Sequence, residues 1–343
     1  MIIVEPIRNN KYISDGAYHM AMQVWFFQNY NKLNLNNKTL IFPYISDPHV
    51  QIGYFQNPLM EINKNFLNKI QVVRRNTGGG AIYLDSNIVA FCFVKKIEEK
   101  ITYKDFYEKP ITVLKKMGLS NVEFSGKNDL TLDNKKISGA AFLMDNNIFY
   151  GGFSLIYDID YEMMQNILQI NLNKFKAKGI SSIRQRVTSF KNHLLKEYQN
   201  LTTHEFKNEF LNLFLSISET KNVEKFIITE EIWKEIDYLV ETKYKNWDWT
   251  YGLSPRYSYN KEKRFEAGTL NVSLDIENGK INQIKISGDF FLKPQKQIEA
   301  LEKALLKIPL KKEELIKALK IIDFENYFLK PIKIDEFIDL ILN

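Results

Sequence analysis

Val72-Val73-Arg74-Arg75-Asn76-Thr77-Gly78-Gly79-Gly80-Ala81-Ile82-Tyr83-Leu84-Asp85 is the stretch on which the reading of this chain turns. Two arginines precede three consecutive glycines, and β-like runs flank them on both sides. Glycine lacks a Cβ, so backbone N–H groups can be pressed against a ligand and φ can turn positive. Arginines beside such a turn put fixed positive charge where a phosphate or carboxylate would sit. A tight hairpin turn with solvated arginines accounts for the same letters, so the neighbouring sequence has to decide.

Outward from this stretch, residues 70–74 and 81–84 read as strands. Residues 87–94 are apolar on both faces and read as a buried central strand. Cys92 lies inside that run and reads as a small buried hydrophobe rather than a nucleophile. Upstream, Ser14-Asp15-Gly16 caps a helix whose Ala17, Met20, Ala21, Val24 and Phe27 recur at helical spacing. Residues 39–42 read as a strand ending at Pro43, 49–54 as another, and 56–67 as a short helix.

Downstream, residues 102–117 form a helix stopped by Gly118. Residues 125–142 read as a hairpin turning near Asp133-Asn134. Lys135 and Lys136 fit solvated hairpin charges, but Ser138-Gly139-Ala140-Ala141 after them would let a ligand approach the backbone. Residues 148–156 are a strand in which Gly151-Gly152 marks a bulge or a close approach. Residues 161–168 read as helical. Residues 174–190 are basic and aperiodic, which suits a loop closing over an anion as well as a plain surface loop. Amphipathic helices follow at 203–217 and 230–244. Trp247-Asp248-Trp249 and Ser254-Pro255 mark a boundary, giving a large domain over 1–250 and a small α+β domain over 256–343. In the latter, strands 265–276 and 280–287 surround Asn278-Gly279, and helices follow at 295–305, 311–319 and 334–341.

Composition narrows the function. The 343 residues are 45% hydrophobic and 26% charged, ordinary for a globular protein. A net charge of +6 suits an anionic substrate or an acidic partner and is too dispersed to argue for nucleic acid. The single cysteine excludes an intramolecular disulfide and a cysteine-based zinc site. No apolar run is long enough to span a bilayer, and Met1-Ile2-Ile3-Val4-Glu5-Pro6 does not read as a signal peptide. The expectation is a cytoplasmic protein. Asn, Lys and Ile are abundant, which is ascribed to codon bias.

The chemistry is narrowed by exclusion as well. No Lys-Ser/Thr follows the glycines, so there is no Walker A loop. A strand follows where the Rossmann fingerprint needs a helix and a third glycine. His19, His49, His193 and His204 lack metal-ligand spacing. What remains is a set of phosphate-type parts that suits nucleotide chemistry done by positioning and charge.

Four motifs in order then carry a specific resemblance. They are Arg74-Arg75-x-x-Gly78-Gly79-Gly80-Ala81-x-Tyr83-x-Asp85, Gly126-x-Asn128-Asp129-Leu130, Lys136-Ile137-Ser138-Gly139-x-Ala141, and Lys178-Gly179-Ile180-x-Ser182-Ile183-Arg184-x-Arg186-Val187-Thr188. Together they resemble the lipoate–protein ligase A family, and Gly288-Asp289-Phe290-Phe291 looks like the end of its accessory-domain hairpin. The resemblance covers nearly the whole chain. It implies an α+β fold: a mixed β-sheet catalytic domain similar to that of biotin protein ligase, with a small C-terminal accessory domain.

The resemblance also implies a reaction. Lipoate and ATP give lipoyl-adenylate and pyrophosphate. The lipoyl group then passes to a lysine of a 2-oxoacid dehydrogenase lipoyl domain or of the glycine-cleavage H protein. Lys136 is expected to be catalytic, contacting the lipoyl carboxyl end and the phosphate. Arg75, Gly78, Gly79, Gly80, Ala81, Ile82, Tyr83, Asn128, Asp129, Lys136, Lys178 and Gly179 are expected to bind ATP or the adenylate. Lys136, Gly80, Ser138 and Gly139 are expected at the lipoate, and Asp129 at an expected Mg²⁺. The family's adenylate-binding loop corresponds to 178–187 and would shield the mixed anhydride from water. The acyl tail needs an apolar slot, worth about 0.8 kcal/mol per buried CH₂. The sequence does not show which side chains form it. A monomer is expected.

This chain departs from the family at four positions. Leu84 stands where the family usually has His, Lys127 where it has Arg, and Tyr150-Gly151-Gly152 where it has a His-Gly-Thr run. Lys127 keeps the charge and loses the bidentate fork. These changes bear on acyl preference, lipoate versus octanoate, more than on reaction class. Competing readings are a lipoyl or octanoyl transferase using a preformed adenylate, a catalytically silent adenylate-binding protein, and a biotin ligase.

Overall fold

The computed structural model describes residues 1–63, 65–66, 69–168, 186–218, 223–252, 259–277 and 279–342. Contacts divide the chain into two units. One comprises Met1–Gln51, Ile62–Val73 and Ile82–Asn246; the other comprises Ile52–Glu61, Arg74–Ala81 and Trp247–Asn343. The fold is α+β with mixed sheets.

In chain order, the strands and first helices are β1 (Ile2–Ile3), β2 (Ile7–Arg8), β3 (Lys11–Tyr12), α1 (Gly16–Asn29), β4 (Leu40–Tyr44), β5 (His49–Ile52), α2 (Pro58–Glu61), β6 (Gln71–Arg74), β7 (Ile82–Leu84), β8 (Ile88–Lys96), α3 (Tyr103–Lys116), β9 (Val122–Ser125), β10 (Asp129–Leu132), β11 (Lys135–Asp145), β12 (Ile148–Ile156), α4 (Tyr161–Ile167) and β13 (Glu224–Lys225). The first unit is built on an eight-stranded sheet in the order β13-β1-β4-β8-β12-β11-β10-β9. As its two-sided apolar pattern requires, β8 lies inside this sheet, antiparallel to both β4 and β12.

One face of the sheet carries an aromatic core. Phe106 and Tyr107 of α3, with Phe210 and Phe214 of the helix Thr203–Ile217, pack on Phe91, Phe93 and Phe153. Such ring pairs contribute about 0.5–1.5 kcal/mol each beyond area burial. Both helices start with capping boxes, Thr102 with Asp105 and Thr202 with Glu205. The opposite face takes α1, whose N-cap Asp15 accepts from the backbone N–H groups of Ala17 and Tyr18. Phe26 packs on Phe42, Phe27 on Tyr150, and His19 on Tyr44. His19 is fully buried, and desolvation pushes its pKa down to about 3, so it is neutral.

The second unit holds the antiparallel sheet β14 (Tyr259–Phe265), β15 (Gly268–Glu277), β16 (Lys280–Phe290), with the helices Ile298–Leu305, Lys312–Ile321 and Ile334–Leu342. Leu270, Val272, Leu274, Ile286, Leu301, Leu315 and Phe337 are among its buried core. Phe55 stacks on Phe290 at 4.7 Å and 13° between planes.

Several sequence expectations change here. Pro43 lies inside β4 rather than ending it. Ile41 accepts from Val4 N–H on the β1 side, so the ring nitrogen of Pro43 faces that same side, where the pairing of β1 has ended at Ile3. The helix expected over 56–67 shrinks to Pro58–Glu61, because Ile62 leaves to bridge Leu168. Phe265 ends a separate strand, β14, instead of opening β15. The expected boundary at Ser254-Pro255 lies outside the described residues. Finally, β6 and β7 are not a hairpin pair. β5 lies between them in a three-stranded sheet, so the glycine segment crosses over β5 rather than turning back on its own strand.

Asparagine has a structural use that the reading of composition overlooked. Among the described residues it supplies eight of the twelve non-glycine positions at positive φ, including the tight turns Asn9-Asn10 and Asn146-Asn147.

Candidate functional site

The first unit presents Lys136 through an irregularity in its sheet. β10 and β11 pair Asp129 with Gly139 and Leu130 with Ser138, then shift so that Thr131 faces Lys136. Ile137 is the extra residue of a β-bulge. Regular pairing would set Lys136 opposite Leu132, on the face that α3 covers. The bulge puts it on the other face, with Asp129 and Gly139. There the Lys136 Nζ lies 2.7 Å from Asp129 Oδ1, both side chains being partly exposed. A Cβ on Gly139 would stand 2.7 Å from the same Nζ, so the absence of a side chain there is what lets the lysine lie down.

The hairpin is fastened at both ends. Asn128 accepts from Ala140 N–H through its carbonyl at 2.9 Å and donates to Ala140 O through its side chain at 2.6 Å. The carbonyl of Lys136 accepts from Thr188 N–H at 2.9 Å, and Lys136 forms a parallel bridge with Val187. The end of the basic segment thus runs beside Lys136. Lys178 and Gly179 lie outside the described residues.

Opposed residues of antiparallel strands share a face. Gly139, Ser154, Ala90 and Tyr44 therefore form one row across β11, β12, β8 and β4, and Ala141, Gly152, Cys92 and Phe42 form the next. The result is a floor of small side chains beginning beside Lys136. α1 covers its β4 end through Phe26 and His19. Gly151 and Gly152 mark close approach between strands and not a bulge, since β12 pairs without a register shift on both sides. Cys92 is buried, and desolvation raises its thiol pKa, so it is no nucleophile.

The second unit holds the glycine segment. Arg74 is buried, and its guanidinium donates to five carbonyls, those of Gly53, Tyr54, Gln56, Trp249 and Thr250, at 2.6–3.2 Å. Burial pushes its pKa down to about 10, which still leaves it charged at neutral pH. The Arg75 guanidinium donates to Thr77 Oγ1 at 3.2 Å and to Gly78 O and Gly80 O at 2.8 Å, bracing the turn from within. Gly79 has φ +94°, its N–H donates to Phe290 O at 3.2 Å, and a Cβ there would stand 2.8 Å from the Phe291 ring. The carboxylate of Asp289 lies beside Gly80.

Lys136, Asn128, Asp129 and Gly139 are brought together on one hairpin of the first unit. Ser138 is on that hairpin too, but its hydroxyl is buried against Tyr107 on the α3 side. Ile82 and Tyr83 lie on β7 of the first unit, where Tyr83 is buried beside Asp85. Arg75, Gly78, Gly79, Gly80 and Ala81 belong to the second. Of the departures, Leu84 is buried opposite His49, and Tyr150 packs on Phe27. Tyr107 and the bulge escaped sequence reasoning. The signal for the bulge is the adjacent Ile137-Ser138, which breaks the alternation of β11, both residues being fully buried.

Comparison with known proteins gives these parts a family. Residues 15–215 match the lipoyl protein ligase A/B catalytic domain, and residues 254–341 match the bacterial lipoate protein ligase C-terminus. The chain therefore belongs to the lipoate–protein ligases, a family of enzymes. Among its relatives, lipoate–protein ligase 2 of Staphylococcus aureus is 40% identical, and the lipoate–protein ligase of Streptococcus pyogenes is 42% identical, each alignment covering 100% of both chains. Among solved structures, Plasmodium falciparum LipL1 in complex with lipoate superposes with a TM-score of 0.78 at 22% identity, over 100% of this chain and 99% of that one. A lipoate–protein ligase A bound with ATP gives 0.58 at 20% identity, over 73% of this chain and 98% of that one. Among the described residues, no helix is long and apolar enough to cross a membrane.

Proposed function

We propose that this chain joins lipoate to ATP, releasing pyrophosphate and forming lipoyl-adenylate, and then passes the lipoyl group to a lysine of an acceptor, either a lipoyl domain or the glycine-cleavage H protein. Residues 1–250 are assigned the lipoate and ATP chemistry and residues 256–343 an accessory role, in a monomer working in the cytoplasm. The observation that carries the reading is the Lys136 hairpin, where a bulge and a side-chain-free Gly139 hold an ammonium over an open floor of small residues. Full-length relatives at 40–42% identity named lipoate–protein ligase support it.

In the first step a lipoate carboxylate oxygen attacks the α-phosphorus of ATP, and the bond to the pyrophosphate oxygen breaks. Two anions must approach each other, and Lys136 supplies the charge that makes this possible. Arg75 and the segment 78–83 are assigned to the nucleotide, with Asn128, Asp129, Lys178 and Gly179. The acyl tail is assigned to the floor of Gly139, Ala141, Gly152, Ser154 and Cys92. Gly152 leaves it without the hydroxyl usual in the family.

Asp129 fits a Mg²⁺ shared with nucleotide phosphates, since such sites need only one or two carboxylates from the protein. Among the described residues no group of three His, Cys, Asp or Glu would hold a metal alone. Mg²⁺, when bound, would offset phosphate charge. In the second step the acceptor's lysine amine attacks the lipoyl carbonyl and AMP leaves. Lys136 is not that acceptor.

The test is lipoate-dependent pyrophosphate release from ATP, followed by mass spectrometry of a lipoyl acceptor offered lipoate, octanoate or biotin. A purified protein that modifies the acceptor only from preformed lipoyl-adenylate would remove the activation step from this proposal.

A further inference from the structure

We infer that Tyr107, lying under the sheet, is a positioning residue for Lys136, acting through the hydroxyl of Ser138. The inference rests on the reading of Lys136 as the adenylation lysine. Tyr107 is fully buried on α3, and its hydroxyl lies 3.0 Å from Ser138 Oγ and donates to Asn128 O at 3.3 Å. Ser138 is itself fully buried. Both groups lie on the face opposite to Lys136, so neither reaches a substrate placed above Gly139.

Their leverage comes from the bulge. Ile137 is the extra residue, and its presence decides on which side Lys136 emerges. Regular pairing of β10 with β11 would turn the lysine toward α3 and bury an unpaired ammonium. Ser138 faces α3 opposite Leu130 with or without the bulge, which adds Ile137 on the same side and carries Lys136 to the other face, so a hydroxyl lies in an aromatic core. A buried hydroxyl without a partner is costly. Tyr107 gives Ser138 its partner and at the same time ties down Asn128, whose carbonyl and amide both grip Ala140. If the bulge were lost with Lys136 kept opposite Thr131, Ser138 would turn outward opposite Asp129 and Gly139 would turn inward. The Tyr107–Ser138 contact opposes that shift, and so keeps Gly139 beneath Lys136 and the ammonium against Asp129.

The test uses Tyr107→Phe, Ser138→Ala and the double variant of the full chain, each with its melting temperature. Acetylation of Lys136 by acetic anhydride, followed by peptide mass spectrometry, reads the lysine's setting without any reaction being catalysed. Lys136 is expected to react several-fold faster in both single variants, with exposed Lys135 unchanged as the internal reference. For lipoate-dependent pyrophosphate release, kcat is expected to fall about tenfold, the effect of one lost hydrogen bond, with KM for ATP and lipoate within twofold. The double variant is expected to be no slower than the slower single one. Unchanged Lys136 labelling in both single variants overturns the inference, as does a double variant whose loss is the product of the two single losses. Altered labelling in a wild-type background that releases no pyrophosphate would uphold the positioning and remove the ligase reading instead.

Discussion

The Lys136 ammonium and the Asp129 carboxylate meet at 2.7 Å across adjacent strands, on a face that Lys136 reaches only because Ile137 bulges out of the pairing. Both side chains are partly exposed, so the pair is worth little as a stabilising contact. Its importance is in placing the ammonium. Lys136→Ala is expected to lower lipoate-dependent pyrophosphate release by at least about a hundredfold, the range for removing one preorganised charge stabiliser, and to leave the melting temperature nearly unchanged. Near-normal adenylate formation would refute the role assigned to Lys136.

Gly139 offers a subtler change at the same place. A methyl group would meet the end of a flexible lysine rather than backbone, so the fold should tolerate Gly139→Ala. The ammonium must then move away. Adenylation should slow while ATP affinity, followed by isothermal titration, is kept. Equal losses in both would mean that the hairpin itself had been damaged.

Arg74 makes a stability prediction. Its charge is met by five carbonyls, so Arg74→Met removes every donor and strands all five acceptors. The expected cost is about 3–5 kcal/mol, that of breaking a buried charged network, read by urea denaturation. A loss under about 1 kcal/mol would mean that water reaches those carbonyls.

His19 should make the protein sensitive to acid. Its folded-state pKa is near 3, against an ordinary value of 6.5. Between these values the unfolded chain binds a proton that the folded chain refuses. Stability is therefore complete above about pH 6.5 and is lost as pH falls toward 3, by up to about 1.4 kcal/mol per pH unit. His49 is also buried with a lowered pKa and adds in the same sense. His19→Phe should flatten the fall of melting temperature between pH 6.5 and 4.5. An unchanged slope would assign it to other groups.

Ala141 tests the acyl floor. It faces Gly152 and is partly exposed, so Ala141→Leu adds bulk above the sheet. KM for lipoate should rise about tenfold or more, with KM for ATP within twofold. Equal use of lipoate by the variant and the parent would place the acyl slot elsewhere.

Much of the fold is legible in the sequence, because the main signals are local. The periodicity of α1, its Ser14-Asp15-Gly16 cap and the Asp133-Asn134 turn each need only a few neighbouring residues. What stayed hidden depends on partners far along the chain. Whether Pro43 ends a strand depends on where β1 stops. That β5 comes between β6 and β7 is a fact of sheet order, so the arginine–glycine stretch looks like a hairpin when read alone. For the site, the letters around Lys136 alone also fit a solvated hairpin charge, and it was the resemblance carried by four motifs in order that made it the candidate. The face it occupies depends on a register shift against β10, which no local pattern states. Arg74 and Arg75 look alike in sequence, yet one clamps five carbonyls and the other braces its own turn.

The backing of Gly79 by Phe290 and Phe291 has a practical consequence for anyone dissecting this enzyme. Severing the chain after Gly252 would free a carboxy-terminal fragment that keeps the wall but lacks the turn resting on it. The amino-terminal fragment would keep Gly79 without its hydrogen-bond acceptor, and Phe55 without the ring it stacks on. Residues 74–81 would regain their packing only if the two pieces were produced together and re-associated.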